Sequence, residues 1–274
     1  MEWQREPLTE ALSTAGRAVV DEGFTIAPEF EEDNIHQFRV ATKRLRALLR
    51  LVEGQPGVPE KLPKKFRKLY QLSGNIRDAQ LMIKRAGKAV PEVAEYVSWL
   101  ERQKAKAQQD FRDFYDSAII VKMEKKLRKI EPQPLAVATL REFFAGHMAD
   151  IEAILHKKGL EEEDLHDIRK KIKDLLYVAK VAAEFWPEGL EEAGVSGMLQ
   201  SLDDLAERAG NFNDQHNALV SIESFIEAEK PSEATLALQQ EWQEKKAKSM
   251  EKLVAEIARF QEESKDLKAI VSDQ

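Results

Sequence analysis

Ile35, Phe38, Thr42, Leu45, Leu49 and Val52 are spaced 3, 4, 3, 4 and 3 residues apart, and Leu165, Ile168, Ile172, Leu175, Ala179 and Ala182 repeat the series 130 residues later. Such spacing places six side chains on one stripe of an α-helix, whereas a strand needs alternation with period two. Acids precede both stripes, Glu31 to Asp33 with Asn34 as a cap and Glu161 to Asp164, where the positive helix end favours them. Gly54, Pro56 and Gly57 stop the first stripe, and Pro187 and Gly189 stop the second. Further helical stretches are predicted over about 61–86 and 91–129, with Pro63 and Pro91 near their starts. Runs rich in Val, Ile and Thr with alternating polarity are absent, so no strand is predicted. The fold class is all-α.

A second correspondence supports duplication. Gly74-Asn75-Ile76-Arg77-Asp78 is answered by Gly210-Asn211-Phe212-Asn213-Asp214, at an offset of 136. Pro132 and Pro134 mark the boundary near the midpoint, giving helical units at 1–131 and 132–274. A period of about 130 residues far exceeds that of a solenoid and suits a bundle apiece. With no cysteine in 274 residues, disulfide scaffolds, thiolate zinc sites and cysteine nucleophiles are excluded. No apolar run approaches the roughly eighteen residues that a membrane span needs. The start, Met1 to Glu6, lacks the basic and apolar stretches of a secretory signal, so a soluble, cytoplasmic protein is expected.

Charge is the second constraint. The net value is −7, yet eleven basic residues between Arg39 and Arg77 face only Glu53 and Glu60, a local +9 that leaves −16 for the rest. Local potential, rather than net charge, attracts a polyanion. His36, Arg39, Lys43, Arg46 and Arg50 step 3, 4, 3 and 4 residues, so they share a helix face about 100° from the apolar stripe. At 1.5 Å rise this ladder is about 21 Å long. Like charges at i,i+3 and i,i+4 are destabilising by themselves. An external anion, or acids from a neighbouring helix, must answer them. Arg44, Lys65, Lys68 and Arg77 add charge nearby. The second unit carries His166, Arg169, Lys173 and Lys180 with Leu176 between the last two, Lys170 alongside, and Asp174 where the first unit has Arg44. This ladder is partly eroded, so the first is expected to dominate binding.

The segments Ile35 to Arg46 and Leu165 to Lys173 resemble the signature helices of the CHAD family, the conserved-histidine α-helical domain. The Gly74–Asp78 and Gly210–Asp214 segments are similar to its second landmark, a glycine followed four residues later by aspartate. The resemblance covers nearly the whole chain. It implies two four-helix bundles of long antiparallel helices, related by a pseudo-two-fold axis and together forming one domain. It also implies binding of inorganic polyphosphate in a basic groove or pore, with association with polyphosphate granules. Asp174, Leu176 and Asn213 depart from the family's basic positions in the second unit. The CYTH triphosphatase-type domain to which many relatives are fused has no counterpart in this sequence.

The residues themselves fit a linear polyanion, because arginine offers forked donors and lysine a compact charge that track a phosphate chain without fixed register. His36 and His166, each three residues before an arginine, are placed to donate to phosphate and to become cationic beside it. Nucleic acid is disfavoured, since Phe38, Phe66 and Tyr70 read as core residues rather than a stacking platform. Metal ligation by the paired histidines needs further converging ligands, and His147, His156 and His216 show no ligand spacing. Asp78 and Asp214 read as residues that cap or orient the helix after a glycine break, with Arg77 as a partner. No phosphate loop or serine elbow is present, so no enzyme and no cofactor is expected. The alternatives are a metal-binding or phosphoryl-handling accessory domain using the paired histidines, and an adaptor whose basic face docks an acidic protein partner.

Overall fold

The computed structural model describes residues 2–59, 61–89 and 93–263. Ten α-helices carry the described chain: α1 (Arg5–Glu29), α2 (Glu32–Leu51), α3 (Lys64–Ala86), α4 (Ala94–Phe114), α5 (Ser117–Leu127), α6 (Val137–Leu155), α7 (Glu162–Phe185), α8 (Pro187–Glu192), α9 (Leu199–Ala228) and α10 (Glu233–Glu263). The all-α expectation holds. Both apolar stripes are buried, Ile35, Phe38 and Leu45 on α2 with Val52 just after its end, and Leu165, Ile168, Ile172, Leu175, Ala179 and Ala182 on α7. Asn34 lies inside the first turn of α2 rather than capping it. Gly54 and Gly57 follow that helix with φ of 84° and 79°, a left-handed backbone that glycine adopts without a β-carbon clash. Pro63 stands immediately before α3, while Pro91 lies outside the described residues.

Two expectations are corrected. The stretch 91–129 is two helices, because Asp116 accepts a hydrogen bond from the Ala118 amide (2.8 Å) and starts α5 afresh. The chain also has one short antiparallel strand pair, β1 (Glu2–Trp3) with β2 (Leu135–Ala136). Trp3 is wholly buried and stacks on Trp186 with ring centroids 5.3 Å apart. Aromatic burial, rather than strand propensity, holds this pair.

The main core runs without interruption from Trp3 through both halves to Phe260. Helices α2 and α7 pack directly against each other. A second apolar cluster joins the ends of two helical hairpins: Tyr96 of α4 packs on Phe225 of α9 (5.3 Å) and Trp242 of α10 (6.2 Å), with Met82 of α3 beside them. The Tyr96 hydroxyl donates to Ser221 Oγ (2.8 Å). The halves therefore meet in two places, and the basic face of α2 looks onto the space between.

Candidate functional site

A cleft of about 580 Å³ lies among α2, α3, α7 and α9. Four cations reach it from α2 (Arg39, Lys43, Arg46, Arg50), one from α3 (Arg77) and three from α7 (Arg169, Lys170, Lys173), with His36 and His166 among them. The carboxylates in its wall are Asp78, Asp174 and Asp214. Ten of the predicted site residues thus converge, drawn from positions more than 130 apart in sequence.

Lys43 sits at the centre of this field. Burial, followed by the charges of Arg169, Arg39 and Lys173, lowers its ammonium from 10.5 to about 8, with Asp78 pulling the other way. Lys173 is lowered for the same first reason, burial, and then by Arg169. The wall of protein around Asp78 pushes its carboxyl up despite the opposing pull of Arg39, although water in the cleft still reaches it. His36 is lowered by burial and then by Arg77. His166 is lowered by burial and then by Lys170, while a hydrogen bond between its Nδ1 and Asn213 Oδ1 (3.2 Å) resists this. Each histidine therefore faces the residue that precedes the landmark aspartate, Arg77 on α3 or Asn213 on α9.

Arg39 is held on three counts. Its Nη1 donates to the Tyr70 carbonyl (3.0 Å) and reaches Ser73 Oγ (3.5 Å), and its guanidinium lies 4.6 Å above the Tyr70 ring. Arg46 approaches the same ring at 6.0 Å. Tyr70 therefore packs against the core beside Phe38 and at the same time walls the cleft, and Tyr177 of α7 likewise packs on the core and walls the cleft. Neither tyrosine carries a sequence signal, because an aromatic on an amphipathic helix reads as core until its neighbours are known.

The remaining predicted residues fall outside the lining. Arg44 turns away to pair with Glu184 of α7, and Lys180 pairs with Asp203 of α9 (2.8 Å). Lys65 and Lys68 are exposed on α3 and do not line the cleft. Asp174 pairs with Arg50 across the α2–α7 contact, with His147 Nε2 at 4.0 Å, and burial raises its carboxyl against the pull of Arg50. Acids of a neighbouring helix thus answer part of the ladder. Gly74 and Gly210 lie inside continuous helices, so Asp78 and Asp214 cap nothing and instead face the cleft.

Lys170 keeps an i,i+3 ion pair with Asp167 (2.8 Å). Among the described residues, no three His, Asp or Glu side chains gather to hold a metal ion, and no helix is long and apolar enough to cross a membrane.

The fold is similar to the crystal structure of the CHAD domain from the plant Ricinus communis, with a TM-score of 0.69 at 15% identity over 94% of this chain and 92% of that one. No curated protein matches the chain. The family model for the CHAD domain matches residues 22–219, which contain both signature helices and every residue of the cleft. The chain belongs to the CHAD domain family.

Proposed function

We propose that the chain binds inorganic polyphosphate along the cleft and acts as a binding module rather than an enzyme. The observation that carries this reading is the convergence of eight cations on three carboxylates in one open cavity. Such an arrangement brings like charges together, and burial followed by the charges of Arg169, Arg39 and Lys173 lowers the ammonium of Lys43. A chain of phosphates relieves that crowding of charge at many points at once, and Arg39, fixed by Tyr70, presents its charge without further ordering. Polyphosphate fits better than a compact anion because the cations extend along α2 and across to α7. Cations from both helices share the cavity, so both halves contribute. On this reading residues 1–131 and 132–274 are copies of one unit that form a single domain around one core. Association with polyphosphate granules and a partner in polyphosphate metabolism follow as corollaries.

The test is a calorimetric titration with long-chain polyphosphate, using orthophosphate and single-stranded DNA as comparators. Tight binding of the polymer with weak binding of both comparators is expected. Equal or tighter binding of DNA overturns the assignment. The reading of paired histidines as metal ligands gains nothing here, since the charges of Arg77, Lys43 and Arg39 act on His36 and those of Lys170 and Arg169 on His166, all of which repel a cation.

A further inference from the structure

A second cavity, of about 430 Å³, shares Arg46, Arg50 and Tyr70 with the cleft but has a different chemistry. Leu49, Leu62, Phe66 and Pro59 give it an apolar lining. Thr42 also lines it, wholly buried, with a hydroxyl that has no hydrogen-bond partner in the chain. The exposed Arg67 and Lys61 also line it, Arg67 Nε donating to the Leu62 carbonyl (3.1 Å), and so does the exposed carboxylate of Glu53. Lys61, Arg67 and the Thr42 hydroxyl can meet phosphate, but the apolar lining and Glu53 do not suit it. A phosphate chain has no apolar surface to bury against leucines, and it has no N–H to give Glu53. A ligand that matches the whole space has phosphates at one end, beside Arg46 and Arg50. At the other end it has a flat apolar body edged with N–H donors.

We propose that this cavity seats the base of a nucleoside polyphosphate whose phosphates run past Arg46 and Arg50 into the cleft. The inference rests on the polyphosphate reading and narrows it, giving the site a ligand class with a head as well as a charged tail. The cavity volume lies within the roughly 300–1,000 Å³ usual for small-molecule sites. The acid at the edge fits an exocyclic amine, and Arg67 is positioned by the Leu62 carbonyl to stack on or donate to the base. Cleft and cavity meet at two arginines, so one ligand can occupy both.

The probes are ATP, adenosine and tripolyphosphate, titrated by calorimetry in magnesium-free buffer, with saturation-transfer NMR on the adenine protons. Charge alone favours tripolyphosphate, so a preference for ATP isolates the base. ATP is expected to bind about tenfold more tightly than tripolyphosphate, in the range that base stacking supplies, with saturation transferred to adenine. Pro59→Trp, on a loop, fills the cavity, and Glu53→Ala, at an exposed position, removes the acceptor. Each is expected to bring the ATP-to-tripolyphosphate ratio close to one. Equal or weaker binding of ATP, with no transfer to adenine, overturns this inference while tripolyphosphate binding leaves the polyphosphate reading standing. If tripolyphosphate and long-chain polyphosphate both fail to bind, that earlier reading fails and takes this one with it.

Discussion

The guanidinium of Arg39 lies across Gly74: a β-carbon placed on that glycine would stand 2.7 Å from Arg39 Nη1. The first landmark glycine is thereby explained by close approach rather than by a turn. The corresponding Gly210 has open space around it. Gly74→Ala is therefore expected to push Arg39 off the Tyr70 carbonyl and weaken polyphosphate binding about tenfold, the low end of a lost charge-assisted hydrogen bond. Gly210→Ala is expected to leave binding unchanged and to stabilise its helix by about 0.5–1 kcal/mol. Titrations with polyphosphate and thermal melts of the two variants check both halves of this pair.

Salt separates cations inside the cleft from those outside it. If five to eight of them engage phosphate, log affinity falls against log salt with a slope of about −4 to −7, borrowing the nucleic-acid range. Replacing Lys43, Arg169 or Lys173 with alanine is expected to flatten that slope by nearly one unit each. Arg44, Lys65, Lys68 and Lys180 are expected to change it little, because they lie outside the lining. Equal effects from the two groups would place the polymer on the outer surface instead.

Lys43 sets the alkaline limit of binding. Its ammonium titrates at about 8 in the empty cleft, and a bound phosphate chain raises that value. Affinity is therefore flat below about pH 8 with respect to this group and falls as pH rises beyond it, by up to tenfold per pH unit. The free protein behaves oppositely: its folded-state value lies below the unfolded one, so stability rises with pH between about 8 and 10.5. Lys43→Met is expected to remove the Lys43 share of both trends and leave that of Lys173, measured by calorimetry and by melts across that range.

His36 and His166 set the acid side. Both lie below 6.5 when the cleft is empty, chiefly through burial, and an anion raises them. Binding is expected to tighten as pH falls from the bound values to the free ones, and then to level off. The double variant His36→Gln with His166→Gln should lose that increment, which runs at up to about 100-fold per pH unit while both histidines take up a proton. A polyphosphate titration series between pH 5 and 7.5 reads it directly.

Asp174 restrains the cleft. Its carboxyl is raised by burial despite the ion pair with Arg50, so the folded state binds the proton more readily than the unfolded chain. From this group stability is greatest at low pH and is lost as pH rises through the folded value. Asp174→Asn is accordingly expected to change neutral-pH stability by no more than about 1 kcal/mol. Releasing Arg50 is expected to tighten polyphosphate binding several-fold. Chemical denaturation and titration of the same variant check the two effects.

The sequence determined the local facts. Residues three and four apart must share a helix face, so the stripe from Ile35 to Val52 fixed α2 and its buried side, and the ladder from His36 to Arg50 fixed the face that carries charge. Helix geometry alone needs only neighbours along the chain. Only tertiary structure decided which charges meet. Arg44 and Arg46 are two residues apart, so their side chains leave α2 about 200° apart, and one pairs with Glu184 near the end of α7 while the other lines the cleft that α7 also walls. Asp78 and Asp214 looked like caps until α3 and α9 proved continuous through their glycines. Tyr70 reads as core in the sequence, and only the fold shows that its ring also carries Arg39. Electrostatic and stacking environments are set through space by side chains more than a hundred residues away. Lys43 shows this most plainly: its pKa of about 8 owes more to burial and to Arg169 on another helix than to anything beside it in the chain.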